Sequence, residues 1–192
     1  PETGEYVWHH QQVPAETWDY TATQHMILAE IEWDGSQRKV LMQAPKAGFF
    51  YIYDRETGEL LSAEKYGRQV TWASHYDMQT GRPVEVAGQD FAEEPATVFP
   101  SGLGAHNWQP MSYSPRTGLV YIPAMDMGAP MSDEPVFRAS RRVFSTGNES
   151  DGAIHNAQLV QTMLPEVMNG YLLAWDPREQ KSVWEVDQGA MG

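Results

Sequence analysis

The feature that most constrains this chain is a short unit that recurs along it. It reads Tyr53-Asp54-Arg-Glu-Thr-Gly58, then Tyr76-Asp77-Met-Gln-Thr-Gly81, then Tyr113-Ser114-Pro-Arg-Thr-Gly118. A degraded copy follows at Trp175-Asp176-Pro-Arg-Glu-Gln-Lys-Ser-Val-Trp184, and the chain opens on the tail of another, Pro1-Glu-Thr-Gly4-Glu-Tyr-Val-Trp8. Each unit is an apolar strand, a turn with Asp or Ser first and Gly last, and a second apolar strand. An Asp side chain can accept backbone N–H groups inside such a turn, and Gly tolerates the positive φ that closes it. Repeated hairpins of this kind predict an all-β, propeller-like architecture. At roughly 40–50 residues per blade, 192 residues hold about four blades.

Aromatic and β-branched runs such as Phe49–Tyr53 support strands. The clearest helical periodicity is Ile154–Val167, with Leu159, Met163 and Val167 four apart and Pro165 limiting its length. The irregular spacing of the hairpins implies insertions. The longest covers about 125–153, is rich in Pro, Ser, Asp, Gly and Arg, and reads as a surface loop containing the sequon Asn148-Glu-Ser150. One partial propeller domain over 1–192 accommodates all of this.

Composition excludes several chemistries. Thirteen Lys plus Arg against 26 Asp plus Glu give a net charge of −13, which leaves nucleic acid no basic surface to bind. No 18-residue apolar run is present, so no transmembrane segment is expected. Zero Cys excludes disulfides, thiolate metal sites, cysteine nucleophiles and covalent haem attachment within these residues.

Four positions carry candidate chemistry. Asp19 lies between Trp18 and Tyr20 after a Pro-led turn, so it reads either as a partly desolvated base or metal ligand, or as a turn Asp satisfied by backbone. Lys46, in Gln43-Ala-Pro-Lys46-Ala-Gly-Phe-Phe50, lies between an apolar strand and a small-residue turn. Such a lysine either snorkels to water or points inward, to polarise a bound carbonyl or to pair with a carboxylate. Ser101-Gly102-Leu-Gly104-Ala-His-Asn107-Trp108 lacks the third Gly and the βαβ setting of a nucleotide loop. Its glycines instead allow a close turn that delivers Asn107, a donor and acceptor, and Trp108, a flat face with one N–H, to one place; the alternative is that Trp108 is core. His9-His10 point to opposite strand faces, and all six histidines read as surface or core residues. Trp8 and Trp184, equivalent positions after a hairpin turn, read as cement between blades.

Taken together, Trp18-Asp19-Tyr20, Ala44-Pro45-Lys46-Ala47-Gly48-Phe49-Phe50-Tyr51 and Gly104-Ala-His-Asn107-Trp108 resemble the pyrroloquinoline quinone (PQQ)-dependent alcohol dehydrogenases. The terminal Ala174-Trp-Asp176…Trp184 unit resembles that family's tryptophan-docking repeat. The resemblance implies part, about half, of an eight-bladed β-propeller with PQQ and Ca²⁺ on its axis. It implies oxidation of primary alcohols to aldehydes, with Asp19 as general base and calcium neighbour or ligand. Lys46 would contact the quinone carbonyl region, and Asn107 and Trp108 the cofactor's edge. It further implies a small alcohol substrate, a cytochrome c or quinone electron acceptor and a periplasmic location. The family's vicinal Cys pair, stacking Trp and Glu and Asn calcium ligands are expected upstream of residue 1. A haem c domain, if the parent protein has one, is not encoded here. These 192 residues alone are therefore expected to be inactive. A PQQ-dependent sugar or polyol dehydrogenase and a non-catalytic propeller scaffold are the competing readings; a scaffold gives no reason for Asp19, Lys46, Asn107 and Trp108 to converge.

Overall fold

A computed structural model describes residues 2–133, 136 and 168–189. The helical periodicity at Ile154–Val167 and the sequon at Asn148 lie outside the described residues. Within them the chain is all-β, with twelve strands. Strands β1 (Met26–Trp33), β2 (Ser36–Gln43), β3 (Phe49–Asp54) and β4 (Leu60–Lys65) form an antiparallel sheet in chain order. A second four-stranded sheet runs β8 (Ser112–Ser114), β9 (Leu119–Asp126), β11 (Asn169–Asp176) and β12 (Lys181–Gly189). Between them in sequence, β5 (Ala73–Asp77) pairs with β6 (Arg82–Glu85), and β7 (Ala96–Val98) pairs with β10 (Ala129–Met131). Two four-stranded meanders packed through their faces are blades, as the hairpin repeat predicts.

The turns close as their residue types require. Asp54 Oδ1 accepts the backbone N–H of Glu56 at 2.9 Å and of Thr57 at 3.1 Å, while Gly58 takes φ +81°. Asp77 accepts from Gln79 N, Ser114 Oγ from Thr117 N, and Asp176 from the N–H groups of both Arg178 and Glu179. In the degraded copy Gln180 adopts φ +53° where the other units have Gly. Trp8 docks on the β3–β4 turn: its indole donates to the carbonyl of Arg55 at 3.4 Å, and a Cβ on Gly58 would strike the ring at 2.6 Å. Its counterpart Trp184 is partly exposed and meets Tyr121 at 5.8 Å between ring centroids.

Strand β3 is buried along its whole length. Because strand side chains alternate between faces, Phe50 and Ile52 enter one core with Val40, Met42, Val120, Ile122, Leu173 and Trp175. Phe49, Tyr51 and Tyr53 enter another with Trp18, Tyr20, Trp72, Tyr76 and Val98. Truncating a ring such as Phe50 in a core of this kind costs about 3–5 kcal/mol. The connection from β2 to β3, residues 44–48, thus leads straight into a strand buried along its whole length.

The insertion expected over about 125–153 begins later than composition suggests. Met125 and Asp126 still belong to β9, and Ala129–Met131 form β10 against β7. The reason is that backbone pairing, not composition, decides these positions: Pro130 sits on a two-stranded edge, where a missing N–H costs little.

Candidate functional site

The β2–β3 connection holds its carbonyl groups unusually well. Ala44 O faces His106 Nδ1 at 2.6 Å. Pro45 O accepts from the Tyr66 hydroxyl at 2.7 Å and from Gly48 N at 3.3 Å. Lys46 O accepts from Ala105 N at 2.9 Å, and Ala47 O from the Trp72 indole at 2.8 Å. Four successive carbonyls with partners leave the backbone at Lys46 no freedom to swing. Buried Tyr66 has its phenol pushed well above its ordinary pKa by desolvation, so it stays a donor.

Lys46 is 7% exposed, and its ammonium does not snorkel. It donates to the backbone oxygen of Asp19 at 2.9 Å and to Asp19 Oδ2 at 3.1 Å. Two of its three hydrogens are thereby used, leaving one for a further acceptor. The two residues, 27 apart in sequence, form one charged pair.

Asp19 owes its position to its neighbours. Trp18 and Tyr20 are both buried, their rings stacked at 5.6 Å, and Trp18 also packs on Trp72 at 4.9 Å. Trp18 Nε1 donates to Gln89 O at 2.7 Å, Tyr20 OH to Pro100 O at 2.5 Å, and Tyr20 N to Glu16 Oε1 at 2.7 Å. With both flanking rings anchored inward, Asp19 sits at φ +66°, a conformation non-glycine residues adopt at a cost. The carboxylate expected to be partly desolvated between aromatics is half-exposed: the rings turn one way and the carboxylate the other, leaving the Asp19 side chain 54% exposed. Neither is it a turn Asp satisfied by backbone; its carboxylate partner is Lys46.

The glycine-rich segment lies directly on this pair. A Cβ at Gly104 (φ +86°) would meet Lys46 Cα at 2.6 Å and Cγ at 2.5 Å, so only glycine fits. Gly102 approaches Trp18 O, at 3.2 Å from its own Cβ position, and Asp19 Oδ2, at 4.0 Å. The segment is therefore a backbone pad against Asp19 and Lys46 rather than a phosphate cradle. It carries Asn107, whose amide donates to Leu103 O at 2.8 Å, and Trp108, which is 81% exposed. Trp108 is not core.

The remaining histidines follow the expectation for all but their interest. His9 bonds Tyr6 at 2.5 Å and His10 packs on Tyr53 at 5.2 Å, so the adjacent pair forms no shared site. His106 is fully buried and holds the segment that carries Asn107; as one more core histidine it has no sequence signal that separates it from the others. Among the described residues no cluster of three or more His, Asp or Glu side chains could hold a metal. Asp19 supplies hard oxygen donors suited to calcium, but a complete shell needs oxygens from outside these residues.

Arranged this way, the site offers a carboxylate that can accept a proton, an ammonium with a hydrogen to give, an amide and an aromatic ring that is exposed among the described residues. Comparisons with known proteins relate the chain as a whole to one family. The family described as glucose/ethanol/alcohol dehydrogenase, β-propeller domain, matches residues 1–66. Quinohemoprotein alcohol dehydrogenase ADH IIB of Pseudomonas putida is 48% identical over 187 residues, 97% of this chain and 26% of the relative. The 1-butanol dehydrogenase (cytochrome c) of Thauera butanivorans is 41% identical over 186 residues, 96% of this chain and 26% of its own length. The solved quinohemoprotein alcohol dehydrogenase ADHIIG of Pseudomonas putida superposes with a TM-score of 0.83 at 46% identity, covering 96% of this chain and 28% of that one. The chain thus spans about a quarter of the length of the curated relatives it matches.

Proposed function

Since the chain belongs to the β-propeller of the PQQ-dependent alcohol dehydrogenases, we propose that the Asp19–Lys46 pair is the reaction centre of the full-length protein, which oxidises primary alcohols to aldehydes. The observation that carries this reading is the 3.1 Å contact between Lys46 Nζ and Asp19 Oδ2, roofed by Gly104. A non-catalytic scaffold gives no reason to build it.

When bound, pyrroloquinoline quinone supplies a two-electron acceptor and Ca²⁺ a Lewis acid that polarises its carbonyls. Lys46 would offer its remaining hydrogen to a carbonyl of the bound quinone, and with its backbone fixed through four carbonyls it would do so without reorganisation. Asn107 and Trp108 would hold the cofactor's edge through amide and ring face. Asp19 is a calcium neighbour or ligand and the general base. An alcohol O–H is too weak an acid to ionise beforehand, so the carboxylate takes that proton as the carbinol C–H leaves as hydride. The substrate loses one proton and one hydride, and the aldehyde remains. The exposure of the Asp19 carboxylate suits this role, because a small alcohol can reach it.

The relatives' names support a haem-containing parent and a cytochrome c acceptor, and the family reading carries with it a periplasmic location. The test is Asp19→Asn in the full-length protein, assayed by dye-coupled alcohol oxidation with PQQ and Ca²⁺. Turnover is expected to fall by about 10²–10⁴-fold while much of the bound PQQ is retained. Turnover near the unsubstituted rate removes Asp19 from the base role.

A further inference from the structure

His106 is a fully buried, titratable group that the mechanism above does not use. Its Nδ1 lies 2.6 Å from Ala44 O, two residues before Lys46, and its Nε2 lies 2.6 Å from Gln109 O, two residues beyond the start of Asn107-Trp108. The neighbouring Ala105 completes the join: its N–H donates to Lys46 O at 2.9 Å, and its carbonyl accepts from Met125 N at 2.8 Å, where β9 is ending. One ring therefore touches both the connection that carries Lys46 and the loop that carries Asn107 and Trp108. Tyr66 and Trp72 also seat carbonyls of residues 44–48, but their side-chain hydrogen bonds end on Pro45 O and Ala47 O and not on the loop that carries Asn107 and Trp108.

We infer that His106 is a positioning residue: it sets the placement of Asn107 and Trp108 relative to Lys46, and so the fit of the quinone between them. The inference rests on the proposed PQQ site. An aliphatic side chain of similar size would fill the volume but take away the one donor the neutral ring supplies to these carbonyls. Both ring contacts end on oxygens, so a neutral imidazole, with one N–H, donates to only one at a time. A Gln side chain keeps a donor but not the rigid ring that spans the two oxygens. A misplacement of about 1 Å at a site of this kind costs about 10²-fold in rate.

The test uses the full-length protein with His106→Gln, His106→Leu, Lys46→Met and the double variant Lys46→Met/His106→Gln. PQQ affinity is measured by fluorescence titration of the apoprotein with PQQ in Ca²⁺, thermal unfolding reports folding, and steady-state kinetics give kcat and KM for a primary alcohol. Folded His106→Gln is expected to bind PQQ about 10-fold more weakly and to lose kcat with little change in KM. In the Lys46→Met background the same substitution is expected to add less than about 2-fold, because coupled residues are not additive. If Leu fails to fold, the Gln series still decides. Wild-type PQQ affinity in His106→Gln, or full additivity in the double variant, overturns the positioning role. Weak binding in Lys46→Met beside normal binding in His106→Gln overturns that role alone. Unchanged affinity in Lys46→Met overturns the cofactor reading and this inference with it.

Discussion

Lys46 and Trp108 stand on adjoining segments of one site, and the fold treats them oppositely. Lys46 is 7% exposed, its backbone seated through four carbonyl contacts and its ammonium already engaged by Asp19. Trp108 is 81% exposed and owes the protein almost nothing. The difference follows from what each group has to offer. A hydrogen bond from an ammonium depends on direction and loses value if the charge must reorient, so its placement is built in before any ligand arrives. A ring face attracts any flat partner by contact area, so it can wait in the open. On the proposed function, one half of the site is prepared by folding and the other half would be completed by what binds.

The sharpest way to break this contrast is Gly104→Ala. A Cβ at φ +86° lies 2.6 Å from Lys46 Cα, backbone that cannot give way cheaply. The substitution is expected to cost about 2–4 kcal/mol and to weaken PQQ binding in the same protein, read by thermal unfolding and cofactor titration. An unchanged midpoint would mean that the loop does not rest on Lys46.

Trp108→Ala probes the other half. Stability is expected to stay within about 0.5 kcal/mol, the usual range for an exposed side chain. PQQ affinity is expected to fall by about 5-fold, equivalent to about 1 kcal/mol of ring contact. A large loss of stability would make Trp108 a structural residue, contrary to its exposure.

The smallest effect concerns the hairpins that carry the frame. Hydrogen bonds from Gln79 N and Thr80 hold the exposed Asp77 carboxyl below its ordinary value of 3.8. A carboxylate with a depressed folded pKa stabilises above the unfolded value, and that contribution is lost as pH falls through the folded value. Unfolding midpoints followed from pH 5 downward should therefore drop less steeply below 3.8 in Asp77→Ala than in the unsubstituted protein. Parallel curves would show that the turn contacts carry no proton linkage.

Much of the frame was legible because it is written in side chains. Asp54, Asp77, Ser114 and Asp176 announce turns through a chemistry only they can perform, and Phe49–Tyr53 reads as a strand that the structure then buries on both faces. Asp19, Lys46 and Asn107-Trp108 could be picked out as polar or aromatic groups in unusual surroundings. The direction of Asp19 could not, since it follows from two rings anchored to Gln89 O and Pro100 O, 71 and 80 residues away. The seat of Lys46 was equally hidden. It is made of backbone carbonyls, which every residue possesses, and of partners at Tyr66, Trp72, Ala105 and His106 that carry no local mark. The start of the insertion was misplaced for a related reason: Pro130 suggests a loop, yet it lies on an edge strand that needs no N–H there.

The most direct measurement is the crystal structure of the full-length protein loaded with PQQ and Ca²⁺. The account predicts that the quinone lies between Lys46 and the Asn107-Trp108 loop, with Lys46 Nζ donating to one of its oxygens and the Asp19 carboxylate beside the metal, open to substrate. Quinone bound at another face of the propeller, with the Asp19–Lys46 pair touching neither cofactor nor metal, would contradict it.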